Sequence, residues 1–169
     1  IYAIEKHGFC RERDFDVSQK SPAKAVFSMD DTPDTHRAYP YAFCLSLAYE
    51  LKDGILFMEY QVENRDQRDM WYGFNCPMEE GFAFEDYQLV FEKEENTVSI
   101  PYDLEQLHFS PSKPGTRLRG RTLSLKREMF KNDAVFFDKL NSRAVSILNP
   151  ATGHGVEVGF PGFETVAFW

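Results

Sequence analysis

A chain of 169 residues with a formal net charge of −8 has the length of one domain and enough of it to bury a core. The acidic balance argues against nucleic acid, which calls for a basic footprint, and against an anionic membrane surface. Hydrophobic residues make up 43% of the chain and aromatic residues 15%, a mixture suited to half-buried positions on a pleated sheet. No apolar run approaches the ~20 residues needed to span a bilayer, and Ile1-Tyr2-Ala3-Ile4-Glu5-Lys6 is no signal peptide. Cys10, Cys44 and Cys76 are odd in number and widely spaced, so reduced thiols in a cytoplasmic setting are expected. The apolar opening and the stop at Val166-Ala167-Phe168-Trp169 suggest a fragment.

In chain order, period-2 alternation dominates. Ala25 to Met29 reads as a strand closed by the polar turn Asp30-Asp31-Thr32-Pro33-Asp34. From Tyr41 to Leu51, Tyr41, Phe43, Leu45, Leu47 and Tyr49 point one way and Ala42, Cys44, Ser46, Ala48 and Glu50 the other. Lys52-Asp53-Gly54 carries the Asp-Gly hairpin signal, and Ile55 to Asn64 returns with Leu56, Met58, Tyr60 and Val62 on one face. One face of this hairpin is expected to pack inward and the other to be more polar. Further strands are predicted at 87–92, 97–100, 134–137, 144–148 and 155–160, separated by turns rich in Pro, Gly and Asn. Arg117-Leu118-Arg119-Gly120-Arg121 reads as a solvated loop, and Lys126 to Phe130 as one helical turn. With no repeat, linker or long helical pattern, the expectation is a single antiparallel all-β domain over residues 1–169, a sandwich or barrel.

Residue by residue, few groups point to chemistry. His7-Gly8-Phe9-Cys10-Arg11 could present an imidazole and a guanidinium to a polar ligand, although by pattern alone an ordinary loop histidine is the simpler account. Asp133 opens a strand and could accept hydrogen bonds from hydroxyl groups; a turn-starting Asp explains it equally simply. His36 reads as a solvent-exposed turn residue, His108 as partly buried and structural, and His154 as a turn residue. These histidines show no metal-ligand spacing, so no metal site is expected. Glu79-Glu80, Glu85-Asp86 and Glu92-Lys93-Glu94-Glu95 read as solvated faces. Trp71 and Phe74 read as core more readily than as the floor of a pocket.

Taken together, several stretches resemble the aldose 1-epimerase (galactose mutarotase-like) family, most closely a bacterial branch with a His-Gly-Phe-Ala-Arg stretch. The matching pieces are His7-Gly8-Phe9-Cys10-Arg11, Tyr39-Pro40-Tyr41-Ala42-Phe43, Tyr60-Gln61-Val62-Glu63-Asn64, Glu80 to Tyr87, Phe130-Lys131-Asn132-Asp133-Ala134, Ser142-Arg143-Ala144-Val145 and Phe160-Pro161-Gly162-Phe163, in the family's order. The resemblance implies a large antiparallel β-sandwich that binds a small-molecule sugar and interconverts the α and β anomers of an aldose such as glucose or galactose. It implies no cofactor. By the same resemblance His7 is the catalytic, sugar-binding imidazole, Asp133 accepts hydrogen bonds from sugar hydroxyls, and Arg11 orients the substrate.

The chain departs from the family's pattern at Phe74-Asn75, where a Gly-His-Pro-Gly-Phe type of segment carrying an acid His is expected. The resemblance also places a base Glu beyond Trp169 and further strands before His7. Either these segments belong to the protein outside the given residues, or the chain is a non-catalytic carbohydrate-binding β-sandwich. A sugar 6-phosphate as substrate would call for a basic pocket, which the acidic balance does not favour.

Overall fold

The structure is a computed structural model, and it describes residues 8–73, 83–105, 108–110 and 113–169. All the strand pairings among these residues are antiparallel, and the helical turns are short 3-10 segments. No helix among them is long and apolar enough to cross a membrane. The residues group into two compact units, Ile1–Met78 and Glu79–Trp169.

The first unit is a four-stranded meander of β1 (Asp16–Ser21), β2 (Lys24–Asp30), β3 (Phe43–Lys52) and β4 (Ile55–Asn64), in that order across the sheet. The β3–β4 turn has positive φ at both Asp53 (52°) and Gly54 (79°). That two-residue geometry matches the twist of a hairpin and favours Asp-Gly. It pairs Lys52 with Ile55 and carries the register to Phe43 opposite Asn64. Residues paired across the ladder share a face. Phe27, Leu47 and Tyr60 therefore lie in one row, Ala25, Tyr49 and Met58 in the next, and Leu51 and Leu56 beyond them. The opposite face carries Asp16, Asp30, Glu50, Glu59 and Glu63.

The expected two-faced hairpin is thus present, but its apolar face packs inward at one end alone. Met29, Phe43 and Leu45 are buried there under Phe9, Phe15, Tyr39 and Met70. Toward the Asp53-Gly54 turn the same face stays open, with Leu51 and Leu56 58% and 59% exposed.

The second unit has a sheet of order β11-β10-β5-β8, built from β5 (Gln88–Val98), β8 (Arg117–Ser124), β10 (Ala144–Leu148) and β11 (Gly155–Gly159). Two short pairs accompany it: β9 (Val135–Phe137) with β12 (Val166–Phe168), and β6 (Tyr102–Asp103) with β7 (His108–Phe109). Its core includes Leu89, Phe91, Leu118, Val135, Phe137 and Val145, with the Phe91 ring edge-on to Phe137 at 6.3 Å and to Phe168 at 6.2 Å. Edge-to-face packing of this kind adds about 1 kcal/mol beyond area burial.

Two expectations are corrected here. Arg117-Leu118-Arg119-Gly120-Arg121 is the start of strand β8, and its Leu118 is fully buried. The strand predicted at 87–92 and the first half of that predicted at 97–100 merge into β5, whose pairing with β8 is interrupted between Val90 and Glu95, while Ile100 forms an isolated bridge to Phe136.

Glu95, expected on a solvated face, is 2% exposed. Its carboxylate accepts hydrogen bonds from the Asn141 N–H (2.9 Å), the Ser142 N–H (2.8 Å) and the Ser142 hydroxyl (2.6 Å). These bonds fasten the turn before β10 to the middle of β5. A buried charge persists only when it is bonded in this way, and cutting it back leaves two N–H groups without acceptors. Glu95→Ala is expected to lower the unfolding free energy by about 3 kcal/mol. Glu94→Ala, at an exposed neighbour, is expected to shift it by no more than about 0.5 kcal/mol. Urea midpoints of the two variants check this; equal midpoints would show that the Glu95 bonds are dispensable.

Candidate functional site

In the first unit, the loop before β1 presents the residues that follow His7. His7 itself lies outside the described residues, as do Phe74, Asn75 and the join between them. Gly8 has φ of +72°, a backbone conformation open to glycine, and turns the chain into the short 3-10 segment Cys10–Glu12. Phe9 anchors this loop by packing against Tyr39 (6.1 Å) and Phe43 (6.4 Å). Cys10 is half-buried, and burial pushes its thiol pKa up, so it stays protonated. Arg11 points outward, its guanidinium 3.6 Å from Glu12 with both side chains more than half exposed. Such a contact contributes little to stability and leaves the guanidinium exchangeable with a ligand.

Beside this loop lies an aromatic cluster that sequence reasoning did not single out as a site. Tyr39 packs on Tyr41 at 4.8 Å and edge-on to Phe43 at 5.7 Å, and its hydroxyl donates to the Trp71 carbonyl at 2.6 Å. The Arg68 guanidinium lies 4.8 Å above the Tyr41 ring and donates to the Pro40 carbonyl and to Asp66. It holds the Asp66 carboxyl well below the usual carboxylate range. Trp71, expected in the core, is instead 79% exposed. The Tyr39 bond holds its backbone and leaves the indole to solvent. The one sequence signal for this cluster is the aromatic alternation of Tyr39-Pro40-Tyr41-Ala42-Phe43.

His36 is exposed as expected, and its Nε2 is 2.7 Å from the Asp31 carboxylate. His154 is exposed in the turn before β11, where its carbonyl accepts the Asn149 N–H. His108, expected to be partly buried, is exposed, with Nδ1 2.9 Å from the Phe109 carbonyl oxygen.

Asp133 belongs to the second unit. One turn of 3-10 helix, Arg127–Phe130, precedes it, and Phe130 is fixed edge-on against Phe84 at 5.2 Å. Ala134 and Val135, which follow, are buried. Between these anchors Asp133 takes φ of +78°, and the Ala134 N–H donates to the Asn132 carbonyl at 3.1 Å across it. A three-residue turn with positive φ at its centre is rare and strained. The Asp133 N–H donates to the Phe130 carbonyl at 3.1 Å, while its exposed carboxylate has no hydrogen-bond or ion-pair partner among the described residues. The same unit has a shallow depression of about 450 Å³ lined by Ser99, Lys113, Asp138 and Lys139, among others. Neither Arg11 nor Asp133 lines it, and Lys113 is already held by Asp103 at 2.8 Å.

Burial pushes the Tyr39 phenol up to about 12. The folded pKa then lies above the unfolded value of about 10, so the stability this phenol contributes is intact below pH ~10 and lost as pH rises toward the folded pKa. An ultraviolet pH titration is expected to show a late phenol ionisation that belongs to Tyr39. Tyr39→Phe should abolish that step and flatten the loss of stability over the same range; a late step that survives in the variant would assign it to another tyrosine.

Comparison with known proteins follows the same segments. The chain is 30% identical to the plasmid and chromosomal LacX proteins of Lactococcus lactis subsp. lactis over 175 residues, covering 98% of this chain and 58% of theirs. Among solved structures it is similar to a galactose mutarotase related enzyme from Lactobacillus acidophilus, with a TM-score of 0.75 and 24% identity over 99% of this chain and 58% of that one. A galactose mutarotase-like protein from Lactobacillus casei ATCC 334 matches with a TM-score of 0.70 and 24% identity, over 99% of this chain and 60% of that one. These likenesses establish the antiparallel fold. The chain spans about three fifths of the length of the curated relatives it matches. The aldose 1-epimerase family model matches residues 2–161, and on that match the chain belongs to the aldose 1-epimerase family.

Proposed function

We propose that this chain handles an aldose and takes part in interconverting its α and β anomers. The observation that carries the reading is the family match over residues 2–161, which includes both the His7 to Arg11 stretch and Asp133. The reaction moves protons alone. A base takes the proton from the anomeric hydroxyl while an acid protonates the ring oxygen, the C1–O5 bond breaks, and the free aldehyde turns before the ring closes on its other face. The acid and base return to their starting states, so the sequence needs no redox partner.

Each residue then has a distinct task. His7 offers an imidazole, a group suited to exchanging a proton with a sugar oxygen. Asp133, whose exposed carboxylate lacks a partner among the described residues, accepts hydrogen bonds from sugar hydroxyls. Arg11 exchanges its loose contact with Glu12 for a substrate oxygen. The strained backbone at Asp133 supports this assignment, because sparsely populated conformations cluster where a side chain must be aimed.

Polarimetry of freshly dissolved α-D-glucose and α-D-galactose tests the proposal. Mutarotation is expected to exceed the spontaneous rate in proportion to protein concentration. His7→Ala should lower the catalysed rate about 100-fold, in line with loss of acid–base assistance. Asp133→Asn should lower it about tenfold, the weight of one charge-assisted hydrogen bond, and leave the unfolding midpoint unchanged, since Asn also tolerates positive φ. A rate no greater than the spontaneous one, with sugar binding retained in calorimetry, would make the chain a carbohydrate-binding module and overturn catalysis. Loss of both would overturn the sugar reading altogether.

A further inference from the structure

The turn that follows β4 closes on itself and carries a two-pronged ion pair. The Asp66 N–H donates to the Asn64 side-chain oxygen at 2.9 Å, and the Asn64 amide donates to the Arg68 carbonyl at 2.9 Å. The Arg68 guanidinium meets both oxygens of the Asp66 carboxylate, Nε to Oδ1 at 3.0 Å and Nη2 to Oδ2 at 2.8 Å. A bidentate contact of this kind fixes direction as well as distance.

The pair grips the segment before β3 on both sides of one residue. Arg68 donates to the Pro40 carbonyl, Asp66 accepts the Ala42 N–H at 3.4 Å, and the guanidinium lies 4.8 Å over the ring of Tyr41 between them. From Tyr41 the contacts run ring to ring, to Tyr39 at 4.8 Å and from Tyr39 to Phe9 at 6.1 Å. Phe9 leads into the 3-10 segment that contains Arg11; its carbonyl accepts the Glu12 N–H at 3.1 Å, and the Cys10 carbonyl accepts the Arg13 N–H at 3.3 Å. Closely packed rings pass on a tilt, because one cannot turn without displacing the next. Arg65, in the same turn, is spent differently: it ties Glu63 to Asp30, with both contacts at 2.8 Å. The Arg68 side chain is 60% exposed, so its ion pair contributes little to stability. Its effect should therefore fall on the order of the loop it reaches.

We propose that Asp66 and Arg68 form a positioning pair: they set Tyr41 and Tyr39, and through these rings the Phe9 anchor of the loop that presents Arg11. The consequence for catalysis rests on the sugar-handling role given above to Arg11 and His7; the consequence for the loop does not.

Alkylation of Cys10 by iodoacetamide, followed peptide by peptide in a mass spectrometer, reads the loop without reference to activity, because this thiol is half-buried within it. Arg68→Ala is expected to speed the reaction at Cys10 about tenfold, as the loop opens more often. Arg68→Lys, which keeps the charge and loses both the fork and the flat face, should behave like Arg68→Ala, and Arg65→Ala should change nothing at Cys10. In a Phe9→Leu background, Arg68→Ala should add less than about a factor of two, since its route to the loop has been cut. By polarimetry Arg68→Ala should lower kcat/KM for α-D-galactose about tenfold, because small displacements of a substrate-positioning group cost rate steeply. Far-ultraviolet circular dichroism reports whether each variant keeps its sheet. An unchanged Cys10 rate, an equal gain from Arg65→Ala, or an undiminished effect in the Phe9→Leu background would overturn the proposal. So would a looser loop with an unchanged mutarotation rate. A wild-type chain that passes the alkylation tests and yet shows no mutarotation above the spontaneous rate would overturn the mutarotase reading and uphold the link from Arg68 to the loop.

Discussion

The Asp53-Gly54 turn is the constraint from which the first unit follows. Because side chains alternate with a period of two, one residue of slip between β3 and β4 would move every β4 side chain to the other face. Glu63 would then lie against the buried Leu45 or Phe43, and its carboxylate would be desolvated without a partner. Positive φ at both turn residues removes that freedom. In the observed register Glu63 instead meets Arg65 at 2.8 Å, and Arg65 also reaches Asp30 at the same distance. The acidic excess is thus gathered where water and arginine can solvate it, and the other face is left neutral enough to pack.

Local alternation made this hairpin legible in the sequence, since turn chemistry and strand pattern agree there. The second unit was less legible because its determinants are long-range. Leu118 reads as part of a loop when its neighbours are Arg117, Arg119 and Gly120, for an Arg-rich run resembles a solvated surface. What makes it a strand is the ladder to β5, Thr97 opposite Leu118 and Asn96 opposite Arg119, some twenty residues away. Arg121 adds a bond from its Nε to the Phe91 carbonyl at 2.9 Å. Glu95 was hidden for a related reason. In Glu92-Lys93-Glu94-Glu95 nothing local separates the one buried carboxylate from its solvated neighbours. The distinction comes from Asn141 and Ser142, nearly fifty residues later. Trp71 was misplaced by size alone, because a large aromatic residue is usually buried, whereas here a hydrogen bond to its carbonyl holds the backbone and leaves the ring outside.

The candidate site divides along the same line. A carboxylate at position 133 could be seen in the sequence; its conformation could not. Positive φ at an Asp costs on the order of 1 kcal/mol, and turn chemistry alone does not demand it. The surrounding structure imposes it: Phe130 is pinned against Phe84 on one side, and Ala134 and Val135 are drawn into the core on the other. Between two fixed points so close in sequence, the chain reverses through a three-residue turn, and the residue at its centre is pushed outward. An Asp placed there by sequence drift would be expected to cap a neighbouring N–H with its side chain, as Asp side chains in turns commonly do. Asp133 makes no such bond. Strained and exposed, with a carboxylate that has no partner among the described residues, Asp133 contributes little through its side chain to the stability of its own fold.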